Sequence, residues 1–223
     1  MFDFKSVPLP DYTRFEDGIN SVTHALGVPL TLVMTVLCFL KPGSEHTATK
    51  TAGLLLCAVA TCIMYFGSAF YHGLRPSYTK RVARVLDHSN IFLMISGTLS
   101  AFYLLALIQV KPALAIGLCI GSWVVSLLGI FFTFMDLHKF RKIQMAMYLI
   151  LGWSAVIGFY SVWKMGDAGK SFVILVGIGG LLYSVGAILY GVGKKLRYIH
   201  AVFHVFILAA TAIQLYAIYT YMV

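Results

Sequence analysis

The chain has 223 residues, of which 60% are hydrophobic and 11% charged, with a formal net charge of +9. A water-soluble domain carries about 25% charged residues, and eight carboxylates are too few to coat a water-facing surface of this size. Composition therefore excludes a soluble enzyme and places the positive charge in loops, where it suits anionic lipid headgroups rather than nucleic acid.

In chain order, residues 1–18 read as a polar cytoplasmic arm lying at the membrane interface, interrupted by Phe2, Phe4, Tyr12 and Phe15. Seven apolar runs follow, at about 19–40, 51–72, 87–108, 112–135, 144–163, 171–193 and 198–221, each long enough to cross a bilayer. The expected fold is all-α, an integral membrane bundle of seven transmembrane helices. The first span reads as signal and anchor in one, since no cleavage site follows the N-terminus. Short connections, above all residues 109–111, make neighbouring spans antiparallel. Gly117 and Gly121, with Gly177, Gly179, Gly180 and Gly186, predict close helix approach. Cys38, Cys57, Cys62 and Cys119 all fall within apolar runs and read as packing residues, with no disulfide framework.

Basic residues orient the bundle. The arm and the connections after spans two, four and six hold twelve Lys and Arg, against five on the other side. The richer side is expected to face the cytoplasm, so the N-terminus lies inside, the C-terminus outside, and the protein belongs in the cell membrane.

That orientation gathers scattered polar residues at one depth. His24 lies near the start of span one, His72 ends span two, Asp87 and His88 begin span three, and His200 and His204 begin span seven. His200 and His204 are four residues apart, so both imidazoles lie on one helix face and can grip one metal ion. Ser68 and His72 share a face in the same way, as do Glu16, Asn20 and His24. Asp87 and His88 point about 100° apart and cannot both face one centre. Asp87 is the better candidate, because a carboxylate can hold a water on a metal and take its proton. His88 is expected to pack or hydrogen-bond. The competing reading is metal-free: polar residues belong at helix ends, and interfacial histidines hydrogen-bond between helices.

Three short motifs in this order resemble the haemolysin III proteins and their eukaryotic relatives, the progestin and adipoQ receptors. They are Glu16-x-x-x-Asn20-x-x-x-His24, Ser68-x-x-x-His72 with Asp87 on the next span, and His200-x-x-x-His204. Gly152-Trp153 is a further match. Gly97-Thr98-Leu99-Ser100-Ala101 departs from the family's Gly-Thr-Tyr-Thr-Pro type of stretch and leaves the far end of span three open. The resemblance implies an internal N-terminus and a zinc ion near the inner leaflet, held by His72, His200 and His204. It implies that Asp87 holds a water on the metal with Ser68 close by. Because alkaline ceramidases belong to the wider superfamily, it also implies hydrolysis of a lipid amide.

Three histidines leave tetrahedral zinc one open position, at which water becomes acidic enough to serve as a nucleophile near neutral pH. Asp87 and Ser68 are then the expected catalytic residues, as proton acceptor and oxyanion donor. Glu16, Asn20 and His24 would orient the ligands by hydrogen bonds. The alternative is a receptor-like sensor of membrane lipid or a lytic protein, in which Asp87 closes a structural zinc site. Membrane lipids are the expected partners in either case.

Overall fold

The computed structural model describes residues 4–192 and 196–223. The end of the sixth predicted span at residue 193, and Lys194 and Lys195 of the basic connection after it, lie outside the described residues, as do residues 1–3 of the arm.

Seven helical spans are long and apolar enough to cross a membrane. The first is α1 (Arg14–Ala25) followed by α2 (Gly27–Leu40); the second is α3 (Ala48–Gly73). The third is α4 (Tyr78–Ala101), prolonged by a π turn over Phe102–Ala106 and a 3-10 turn over Leu107–Gln109. Then come α5 (Pro112–Met135), α6 (Arg141–Trp153) with α7 (Val156–Trp163), α8 (Asp167–Val192) and α9 (Ile199–Tyr221). Large apolar side chains such as Leu32, Ile120, Leu127, Phe131, Ile150 and Ile188 face outward, which in water would be untenable and in lipid is the expected solvent contact. The chain is a multi-pass membrane protein.

The third span is the central one, 67% buried. Its α4 packs along α3, and α8 along α9, in the two most extensive helix pairs. Gly97 lies against Ala60 and Gly67 against Asn90. This antiparallel register brings Tyr71 and His72 at the end of α3 level with Arg84 and Val85 of α4. Between α4 and α5, Ser96 and Ser126 hydroxyls meet at 2.6 Å, a polar link of the sort that holds helices together in lipid.

Two helix starts lie furthest ahead of the predicted spans, those of α1 and α4, because caps rather than apolar content set them. Thr13 and Glu16 form a reciprocal capping box that starts α1 at Arg14. Ser77 accepts from the Lys80 amide and starts α4 at Tyr78. Asp87 and His88 therefore lie well inside α4, not at its first turn. Gly117 and Gly121 do not serve helix approach: both are exposed, with open space where a side chain would stand. Gly179 and Gly186 do, against Gln214 and Phe203 with Ile207 of α9. The departure at Gly97–Ala101 leads into the π turn, where Tyr103, Leu105 and Ala106 are fully buried.

The first span is interrupted at Leu26, and Gly27 restarts the helix with the Tyr65 ring directly against it. A Cβ at Gly27 would stand 2.3 Å from that ring. Before α1, the arm runs over the start of α4. Val7 packs with Val85 and Leu137, and the Arg81 and Arg84 guanidiniums donate to the carbonyls of Val7 and Pro8.

Candidate metal centre

The three histidines from α3 and α9 come together. Nitrogens of His72, His200 and His204 lie within 4.8 Å of one another. His72 and His204 are each only 1% exposed. Tyr198, with a left-handed φ of 63°, turns the chain into α9 and places His200 in its first turn.

Second partners fix how the rings point. His72 Nδ1–H donates to Asp17 Oδ1 at 3.0 Å, which leaves Nε2 as the free lone pair. His204 Nδ1–H donates to the Asn20 carbonyl at 3.0 Å, with Thr23 Oγ1 at 3.2 Å from the same nitrogen, so its Nε2 is also free. His72 Nε2 and His200 Nε2 stand 3.3 Å apart. A tetrahedral ion with Zn–N bonds of about 2.0–2.1 Å has a ligand–ligand edge of roughly 3.3–3.4 Å. The donor set, the tautomers and this edge all fit a divalent transition ion.

Asp17 was not among the residues read from the sequence, and it is central. Its Oδ2 accepts from Lys80 Nζ at 2.5 Å while Oδ1 holds His72. Lys80 Nζ also donates to the Leu74 carbonyl at 3.0 Å and lies over the Tyr71 ring. A signal for Asp17 existed: Asp17, Asn20 and His24 follow a three-then-four spacing and share a helix face. Lys80 counted only as a loop charge, but α4 starts early enough to fold it inward, 3% exposed.

The Glu16 stripe divides in three. Glu16 Oε2 accepts from the Thr13 amide and hydroxyl, so it holds the first turn of α1. Asn20 orients His204 through its main chain, while its side-chain Nδ2 is buried with no partner. His24 stacks face to face on His204, ring centroids 3.4 Å apart, and neither of its nitrogens has a hydrogen-bond partner. His88 Nδ1–H donates to the Arg84 carbonyl at 2.9 Å, so its Nε2 accepts from the Tyr190 hydroxyl, 3.0 Å away.

A cavity of about 640 Å³ opens beside the histidines. His24, Ser68, Asp87, His200 and His204 line its polar end; Phe102, Phe159, Phe172 and Ile218 line the other. From Arg84 to Phe102 along α4 the wall extends about 27 Å at the helical rise. Asp87 is on this wall but outside the ligand cluster, its carboxylate 3.8 Å from His88 Nδ1. The arm closes the polar end: Tyr12 stacks on His200 at 5.3 Å between centroids, and Pro8, Leu9 and Pro10 join the lining. Burial raises the Tyr12 hydroxyl above the ordinary phenol range; the nearby Tyr190, Asp17 and Asp87 add to this and Arg84 opposes it.

The chain is similar to known proteins along nearly its whole length. The family profile described as "Haemolysin-III related" matches residues 12–215, a stretch that contains all three histidines and Asp17. The chain is 30% identical over 213 residues to "Hemolysin-3 homolog" of Bacillus subtilis (strain 168), covering 95% of this chain and 97% of that one. It is 27% identical to "Hemolysin-3" of Bacillus cereus, over 92% of this chain and 91% of that one. A more distant relative is "Monocyte to macrophage differentiation factor" of Homo sapiens, 23% identical over 94% of this chain and 86% of the other. By this match along nearly its whole length, the chain belongs to the haemolysin-III related family.

Proposed function

We propose that the chain is a zinc-dependent hydrolase of lipid amides, working at the cytoplasmic leaflet of the cell membrane. One observation carries the reading: three imidazoles converge, two of them, His200 and His204, on the wall of a cavity whose far part is mostly apolar, with Thr98, Ser184 and Gln214 as polar exceptions. A structural staple needs the imidazoles but not the cavity. A lytic pore needs polar lining through to the far end, where this wall is Phe102, Phe159, Phe172 and Ile218. The shape suits an amphiphile with its acyl chain along α4 and its scissile bond at the histidines. The cytoplasmic side follows from the twelve-to-five division of basic residues.

His72, His200 and His204 would hold zinc, with Asp17 and the Asn20 carbonyl fixing two of the rings. When bound, zinc supplies Lewis acidity, polarising a carbonyl and acidifying water to near neutral. Asp87 takes a proton from the attacking water at its carboxylate. Ser68, 2% exposed on the cavity wall, offers its hydroxyl proton to the oxyanion forming at the amide carbon. The C–N bond breaks, hydroxide goes to the acyl carbon, and the proton held by Asp87 goes to the leaving nitrogen. The arm and the surrounding aromatics exclude bulk water from the polar end.

The test is elemental analysis of purified protein together with a panel of lipid amides and esters in detergent and bilayers, following released fatty acid. About one zinc per chain with release from an amide supports the proposal. Zinc-loaded protein that releases fatty acid from none of them overturns it in favour of a sensor.

A further inference from the structure

The polar end of the cavity carries two donors that the hydrolysis above does not use. The Arg84 Nε and the Tyr71 hydroxyl are both buried and have no hydrogen-bond partner. Both residues line the cavity, and Tyr71 is only 2% exposed. The α3–α4 register set by Gly67 with Asn90 and Gly97 with Ala60 brings them level. Among the described residues, no carboxylate lies within ion-pair distance of Arg84. Lys80, whose ammonium lies over the Tyr71 ring, is already satisfied by Asp17. Asp87, one turn along α4, faces His88 at 3.8 Å and is committed to proton transfer in the proposed reaction. A buried guanidinium nitrogen and a buried hydroxyl without acceptors are costly, and an anionic oxygen group would satisfy both.

Position then selects the chemistry. Arg84 sits beneath the arm, donating also to the Pro8 carbonyl, at the end of the cavity opposite the phenylalanines. With the acyl chain along the apolar wall and the amide at the histidines, this is the amine side of the scissile bond. We propose that Arg84 and Tyr71 form a carboxylate subsite, so that the preferred ligands are lipid amides whose amine portion is an amino acid. The proposal deepens the hydrolase reading and rests on its placement of the acyl chain, but the binding it describes does not require turnover.

The experiment is equilibrium binding of N-oleoylglycine and the neutral N-oleoylglycinamide to the zinc-loaded full chain in detergent. Released oleate is quantified in the same samples, so hydrolysis is scored separately. The two probes share shape and acyl chain and differ in one charge. The acid should bind about 10-fold more tightly or better, the usual worth of a hydrogen bond to a charged group. Arg84→Gln should bring the ratio of the two affinities close to one, and Tyr71→Phe should reduce it in part. Arg84→Lys, which keeps the charge but loses the planar fork, should fall between. If Arg84→Gln does not fold, the Tyr71→Phe and Arg84→Lys ratios decide. Equal affinity of the two probes for the wild type, or a preference unchanged in the folded variants, overturns the subsite. Preferential binding without released oleate leaves the subsite standing and removes hydrolysis of this amide, while the wider lipid panel decides the hydrolase itself.

Discussion

Asp17 makes the most demanding prediction, because one carboxylate serves two partners. Oδ1 holds His72 at 3.0 Å and Oδ2 holds Lys80 at 2.5 Å, with side chains 0%, 10% and 4% exposed for His72, Asp17 and Lys80. Asp17→Asn removes the charge with little change in size. Losing one member of a buried ion pair costs about 3–5 kcal/mol. Lys80 keeps the Leu74 carbonyl and the Tyr71 ring, so the low end, about 3 kcal/mol, is expected. Losing the carboxylate behind a metal-binding histidine costs about 10–100-fold in metal affinity. The two effects separate in the double variant Asp17→Asn, Lys80→Met, which removes the orphaned cation. Stability should largely return while metal affinity stays low. Unfolding in detergent and competition for zinc against a chromogenic chelator measure the two quantities. Unchanged zinc affinity in Asp17→Asn would refute the orienting role. Full recovery of affinity in the double variant would show that the loss came from folding alone.

Four further outcomes are expected. His204→Ala or His200→Ala should sharply reduce bound zinc by elemental analysis, since two protein ligands hold it poorly against water, whereas His46→Ala in the connection after α2 should leave it unchanged. Asp87→Asn should keep zinc while lowering turnover by a factor on the order of 100–10,000; loss of zinc instead would mark Asp87 as a direct ligand. Gly27→Ala drives a methyl into the Tyr65 ring, which is held by a 2.6 Å bond to Thr211 and cannot swing away, so thermal unfolding should report a loss of about 1–3 kcal/mol. A reporter fused after Val223 should be active only outside the cytoplasm, and cytoplasmic activity would reverse the assigned side of the metal centre.

The seven spans were legible in the sequence because lipid leaves the backbone no alternative to helices, and a run of apolar residues records that constraint directly. The pairing of His200 with His204 was legible for a similar reason, since both lie on one helix and spacing alone puts them on one face. The true starts of α1 and α4 were hidden from hydropathy, because Thr13 with Glu16 and Ser77 determine them by hydrogen bonds. What joined His72 to the pair, and Asp17 to His72, was decided by the packing of α1 against both α3 and α9 and of α4 against α3. The role of Asn20 was beyond any reading of side chains, as it acts through its carbonyl. Lys80 and Gly117 mark the same limit from opposite directions: a loop charge turned inward to a carboxylate, and a packing glycine left facing out. Local sequence encodes which elements form and which residues share a face, but only the tertiary arrangement sets which faces meet, because that choice minimises unsatisfied polar groups across the whole bundle.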